Sequence, residues 1–162
     1  MFNQILSEGN EDIELHLFAD GTYVQELMTS NNWHPNIKYF GATTAPLKEI
    51  LNFDIGLLPS YHEEMPFTII EYLACGKPII ATEVGAIPEM ISTQDGELAG
   101  KLVPVNNFKV SQVALKKAVL EFIDHPALVE TYAANSKEAF EKFNIKNTVK
   151  QYYDLYQKAL NQ

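Results

Sequence analysis

A three-layer α/β/α domain with a mostly parallel sheet and a helical C-terminal third is the fold class that this 162-residue sequence predicts. Three features predict it. Short apolar runs recur without the strict alternation of a half-exposed strand, which suits strands covered on both faces. The segments between them carry helix starts and stops, giving the rhythm of βαβ units. The last third then switches to apolar residues at helical spacing.

The predicted strands are Glu14 to Ala19, Ile37 to Phe40, Asp54 to Leu58, Pro78 to Ala81 and Gly100 to Val103. Between the first two, Tyr23 to Asn31 reads as a helix opened by Asp20-Gly21-Thr22. Pro46 to Leu51 is a short helix, and Phe67 to Cys75 is another that Gly76 stops. Ala86 to Ile91 forms a helical turn, and the loop Ser92 to Glu97 leads into the fifth strand. From Asn107 onward Val110, Ala114, Ala118 and Phe122 share one helical face, and Pro126 starts another helix after Asp124-His125. Val149, Tyr152, Tyr153, Tyr156 and Leu160 form an apolar stripe that needs a cover, with Lys150, Asp154 and Lys158 elsewhere around the same helix. No repeat or low-complexity linker interrupts the chain, so residues 1–162 are expected to be a single domain.

Composition narrows the function classes. Twenty-one acidic against 12 basic side chains leave a net charge of -9, which disfavours nonspecific attraction to nucleic acid or anionic lipid. One cysteine, Cys75, cannot form an intramolecular disulfide and points to a reducing compartment. No zinc-ligand spacing, signal-peptide pattern or run of eighteen apolar residues is present. A cytoplasmic protein is expected.

In an open α/β sheet, ligands bind beyond the carboxyl ends of the strands, which directs attention to Ala19 to Thr22, Gly41 to Ala45, Pro59 to Pro66 and Thr82 to Pro88. In the third of these, Ser60-Tyr61-His62-Glu63-Glu64-Met65 places carboxylates and an imidazole just before a helix opened by Pro66 and Phe67. The first-turn amides of Phe67, Thr68 and Ile69, with the helix dipole, suit a phosphate oxygen, while Pro66 has no amide to give. Glu71 follows about one turn, or about 6 Å, along the helix from Phe67. Ionised carboxylates accept hydrogen bonds and donate none, so Glu63 and Glu71 suit sugar hydroxyls on either side of a diphosphate. From spacing alone, the same acids also read as solvated surface groups.

The neighbouring residues carry a resemblance. Pro59-Ser60, Glu63, Pro66-Phe67, Glu71, Ala74, Gly76-Lys77-Pro78-Ile79-Ile80-Ala81, Gly85 and Ile87-Pro88-Glu89 together resemble the core of the retaining glycosyltransferases of the GT-B fold, the group 1 or family 4-like enzymes. The family hallmark is two glutamates separated by seven residues, here Glu63 and Glu71. Asp20-Gly21 resembles the family's strand-end Gly-Asp-Gly with Ala19 in place of the first glycine. Ile37 to Gly41 and Phe143 to Tyr156 resemble its glycine-ended strand and C-terminal helix. The resemblance spans about residues 12 to 160 and implies a Rossmann-like domain.

What the resemblance implies is the donor half of an enzyme that transfers a hexosyl group from a nucleotide-diphosphate sugar to a glycan or lipid acceptor, with retention and with no metal or other cofactor. Glu63 matches the catalytic glutamate beside the donor sugar, where it stabilises positive charge. Glu71 matches the residue that binds the ribose hydroxyls. Met65, Pro66, Phe67 and Thr68 match backbone groups that hold sugar and diphosphate, Gly41, Ala42 and Thr43 match the glycine loop near the base, and Gly85 stands where the backbone approaches the donor. Two departures accompany the match. The family's diphosphate-binding arginine and lysine fall before the stretch that Met1 to Glu11 represents, and the N-terminal acceptor domain has no counterpart in the chain. The expected partners are therefore a nucleotide-sugar donor and that N-terminal domain, which would bring the protein to the inner face of the membrane. The isolated chain is expected to be inactive.

Other readings of the same residues are open. Ser60, His62 and Glu63 are too close in one loop to take the nucleophile, base and orienting positions of a hydrolase triad, and no Gly-x-Ser-x-Gly elbow is present. His62 reads as a solvent-facing loop residue and Cys75 as a small packing residue. Glu89 reads as a support for its own helix. A non-catalytic α/β binding or regulatory module that has lost donor affinity is the alternative function, and a flavodoxin-like or response-regulator domain fits the sheet rhythm without a matching flavin loop or acidic pocket.

Overall fold

The structure, a computed structural model, describes residues 1–30, 33–107 and 109–161. Two compact units form, Met1–Pro46 and Leu47–Gln162.

In the first unit the order is α1 (Phe2–Ser7), β1 (Leu15–Leu17), α2 (Thr22–Met28) and β2 (Ile37–Tyr39). β1 and β2 are parallel, with Leu15 opposite Ile37 and Leu17 opposite Tyr39. The Asn36 side-chain amide donates to the carbonyls of Glu11 and Ile13, and the Tyr39 hydroxyl donates to the carbonyl of Ala19. These bonds set the register. α1 is additional to the elements expected, because six residues are too few to display a helical period; it is held by Ile5 and Leu6, both buried. α2 stops at Met28, earlier than the predicted Asn31, which lies outside the described residues. The hydroxyls of Thr29 and Ser30 donate to the carbonyls of Glu26 and Leu27, competing with further helical bonds.

The chain enters the second unit through α3 (Pro46–Ile50) and continues with β3 (Gly56–Leu58), α4 (Phe67–Ala74), β4 (Ile79–Thr82), α5 (Ile87–Met90) and β5 (Gly100–Val103). β4 lies between β3 and β5, parallel to both, and all four of its residues are buried. That is why Ile79-Ile80-Ala81 reads as an unbroken apolar run: a central strand of a covered parallel sheet has no solvent face. Around it pack Ile69 and Leu73 of α4, Ile87 and Met90 of α5, and Ile91, Ala99 and Ala139. Each of the larger side chains contributes about 1.5–3 kcal/mol on burial. All five predicted strands form: the first three are trimmed to three residues each, the fourth is shifted by one residue to Ile79–Thr82, and the fifth keeps its predicted bounds.

α4 ends as Gly76 requires. The Gly76 amide donates to Leu73 and the Lys77 amide to Tyr72, the paired bonds of a Schellman cap, with Gly76 at φ +63°.

One expectation is corrected. The segment from Asn107 onward does not begin as helix: an antiparallel pair, β6 (Val105–Asn106) and β7 (Lys109–Val110), comes first, with Val110 in the strand. Asn107, at φ +50°, accommodates the turn, one of the few side chains that tolerate this conformation. α6 (Gln112–Asp124) starts only after Ser111, whose hydroxyl oxygen accepts from the amide of Ala114. α7 (Ala127–Phe140) follows Pro126, and a 3-10 turn at Glu141–Phe143 leads into α8 (Ile145–Leu160). The Lys142 ammonium donates to the carbonyls of Glu89 and Ser92, satisfying acceptors at the end of α5. The predicted apolar stripe lies on α8 and has no cover: Val149, Tyr152, Tyr153, Tyr156 and Leu160 are all exposed.

Candidate functional site

The parallel order of β3, β4 and β5 brings the loops that follow these strands to one edge of the sheet. Residues 59–66 leave β3 and rise to α4; residues 83–86 leave β4 and lead to α5. The first loop carries Glu63, Met65 and Pro66, and the start of α4 carries Phe67 and Thr68.

At that helix start fewer amides are free than the sequence predicts. Pro66 is the N-cap, and no side chain caps the helix. Among the described residues the amides of Phe67 and Thr68 have no acceptor, whereas the amide of Ile69 donates to the carbonyl of Pro66 at 3.2 Å. Two free amides therefore stand at the positive end of the helix dipole, in place of the three expected. Phe67 and Met65 are exposed, and Thr68 and Glu63 are half-buried.

Glu71 lies on the same helix, half-buried, next to Tyr72. Its negative charge is felt by its neighbours. Burial foremost, with the charges of Cys75 and Glu71 adding, pushes the Tyr72 phenol up to about 12. Burial also raises the Cys75 thiol, which Lys77 lowers and Glu71 raises further. Neither Glu63 nor Glu71 takes part in an ion pair among the described residues. Both carboxylates are thus available as acceptors. His62 is exposed, and Cys75 lies at the far end of α4, its thiol 3.7 Å from the carbonyl of Leu47. No group of three or more His, Cys, Asp or Glu side chains able to hold a metal gathers among the described residues.

Gly41, Ala42 and Thr43 belong to the first unit, following β2. Gly41 has φ +73°, with open space where a side chain would stand, and the Thr43 hydroxyl accepts from the amide of Ala45 at 3.1 Å, so this loop presents its backbone in a tight turn. Glu63, Met65, Pro66, Phe67, Thr68, Glu71 and Gly85 all lie in the second unit.

Gly85 has φ +54°, and its open side faces the protein chain. A Cβ there would stand 2.8 Å from the carbonyl oxygen of Glu64 and closer still to that of Glu63. Its companions Thr82 and Ala86 entered the sequence reading only as members of the segments Thr82 to Pro88 and Ala86 to Ile91, with no role of their own. The Thr82 hydroxyl, fully buried, donates to the carbonyl of Ser60 at 2.5 Å, and the amide of Ala86 donates to the carbonyl of Glu64 at 2.8 Å. A threonine closing the apolar run Ile79-Ile80-Ala81 is the signal that pointed there.

The family described as glycosyl transferases group 1 matches residues 1–125. An uncharacterised glycosyltransferase of Methanocaldococcus jannaschii is 33% identical over 150 residues, covering 86% of this chain and 40% of that protein. The alpha-maltose-1-phosphate synthase of Mycobacterium tuberculosis is 30% identical over 121 residues, covering 72% of this chain and 30% of the relative. Among solved structures, Anabaena HepE in complex with UDP-glucose matches with a TM-score of 0.76 at 20% identity, over 96% of this chain and 43% of that one. The chain thus spans less than half the length of these relatives, and the fold it shares with the last is that of the Rossmann-like domains of GT-B enzymes.

Proposed function

The chain belongs to the group 1 glycosyltransferases, and from that membership we propose that it is the donor-binding part of a retaining enzyme that transfers a hexosyl group from a nucleotide-diphosphate sugar to a glycan or lipid acceptor. The observation that carries this reading is the arrangement on α4, where among the described residues two amides have no acceptor and two flanking carboxylates have no ion-pair partner, Glu63 before the helix and Glu71 within it.

Each group has a chemical task in this proposal. The amides of Phe67 and Thr68 donate to diphosphate oxygens, helped by the helix dipole. Glu71 accepts from the ribose hydroxyls, and a carboxylate is the acceptor best matched to a pair of them. Glu63 lies beside the donor sugar, where its negative charge stabilises the positive charge that develops at the anomeric carbon as the bond to the leaving diphosphate lengthens. Acidic as the chain is, it leaves the neutralisation of the diphosphate to basic groups elsewhere in the full-length protein, so donor binding by the chain alone is weak. No metal takes part. The reaction is assigned to the cytoplasm, at the inner face of the membrane.

Titration of the isotope-labelled chain with UDP-, GDP- and ADP-sugars, followed by amide chemical shifts, tests the assignment. Perturbations centred on residues 65–71 are expected for at least one donor, unchanged by a chelator. Perturbations that avoid this segment for every donor overturn it.

A further inference from the structure

The loop that carries Glu63 is tied at three points to the loop that leaves β4. Thr82, completely buried, donates its hydroxyl proton to Ser60, and Ala86 donates its amide to Glu64. Between those two bonds Gly85 lies against the carbonyls of Glu63 and Glu64 so closely that no side chain fits. The second loop is itself anchored, since the Glu83 amide donates to the carbonyl of Val103, a fully buried residue of β5. In contrast, the loop of residues 59–66 owes nothing to the side chains of its own acids, as Glu63 and Glu64 make no ion pair among the described residues.

From this geometry we infer that Thr82 and Gly85 are positioning residues for Glu63: the loop after β4 is the template on which the Glu63 loop is set, and it determines where that carboxylate stands relative to α4. The inference rests on the donor-sugar role given above to Glu63. Its physical basis is that a loop whose Ser60 carbonyl is held by a buried hydroxyl and whose Glu63 and Glu64 carbonyls abut a glycine has one position available, whereas a loop of exposed polar residues without such ties has many. Gly85→Ala adds a methyl group where two carbonyl groups already stand, in a conformation that side chains rarely adopt, so the Glu63 loop is displaced. Thr82→Val keeps the shape of the buried side chain and removes the donor, leaving the Ser60 carbonyl unpaired. Thr82→Ser keeps the donor.

The test uses the whole chain in two measurements. The first needs no ligand: amide shifts and hydrogen exchange are recorded for residues 60–66, with α7 as the internal reference for an intact fold. Gly85→Ala and Thr82→Val are expected to move and speed the loop signals while α7 is unchanged, and Thr82→Ser to restore them. Unmoved loop signals in both variants overturn the inference, whatever binds. The second compares UDP with UDP-glucose. Because Glu63 faces the sugar and α4 the nucleotide, Gly85→Ala and Thr82→Val are expected to weaken UDP-glucose about tenfold while UDP stays within about twofold, with Thr82→Ser close to wild type. Equal losses for both ligands overturn the positioning role and leave a general structural one. A wild-type chain in which neither ligand perturbs residues 65–71 counts against the functional assignment, and the positioning of the loop is then decided by the first measurement.

Discussion

The phenol ring of Tyr72 lies across the backbone of Gly56: a Cβ at residue 56 would fall 2.5 Å from both Cδ1 and Cε1 of the ring. Through this contact α4 is seated on β3, and Glu71, one residue before Tyr72, takes its place from the same seating. Gly56→Ala is expected to lower stability by about 1–3 kcal/mol through overpacking, read as a lower denaturation midpoint. Adding Tyr72→Leu to Gly56→Ala relieves the overlap, so the double variant is expected to lose less than the two single losses combined.

Stability is expected to depend on Tyr72 at alkaline pH. Its phenol ionises in the fold near 12, above its ordinary value of 10.0, chiefly because burial disfavours the charged form. A group whose value is raised in the fold contributes stability that is fully present below its unfolded value and lost as pH rises through the folded one. The contribution of Tyr72 is therefore complete below pH 10.0 and disappears as pH climbs to about 12. Denaturation series across that window are expected to show a shallower decline for Tyr72→Phe than for the wild type.

The two glutamates are expected to separate in calorimetric titrations. Glu71→Gln should weaken UDP about tenfold or more, since a charged acceptor is lost. Glu63→Gln should leave UDP near its wild-type affinity and weaken UDP-glucose. A Glu71→Gln chain that binds UDP as well as the wild type would remove the ribose from its proposed site.

α8 offers a prediction of indifference. Tyr152, Tyr153 and Tyr156 are 58%, 61% and 63% exposed, and no residue of this helix is buried. Replacing Tyr153 or Tyr156 with Lys is expected to change the unfolding free energy of the chain by no more than about 0.5 kcal/mol. A loss of several kcal/mol would mean that the stripe packs on this chain after all.

The sequence by itself determined the strands, the helix stop at Gly76 and the two-glutamate spacing, because each is a local matter. An unbroken apolar run, a glycine at positive φ and an interval of seven residues can be read without knowing what lies across the molecule. It missed α1 and the β6–β7 pair, where elements of six and two residues are too short to show a period. Only the tertiary structure decided that the apolar stripe of α8 is exposed, and above all that Gly85 lies against the Glu63 loop. In sequence, Gly85 suited a turn or a ligand equally well. The choice depends on what occupies the space beside its α-carbon, and that occupant comes from residues more than twenty positions away, brought there by the parallel pairing of β3 with β4.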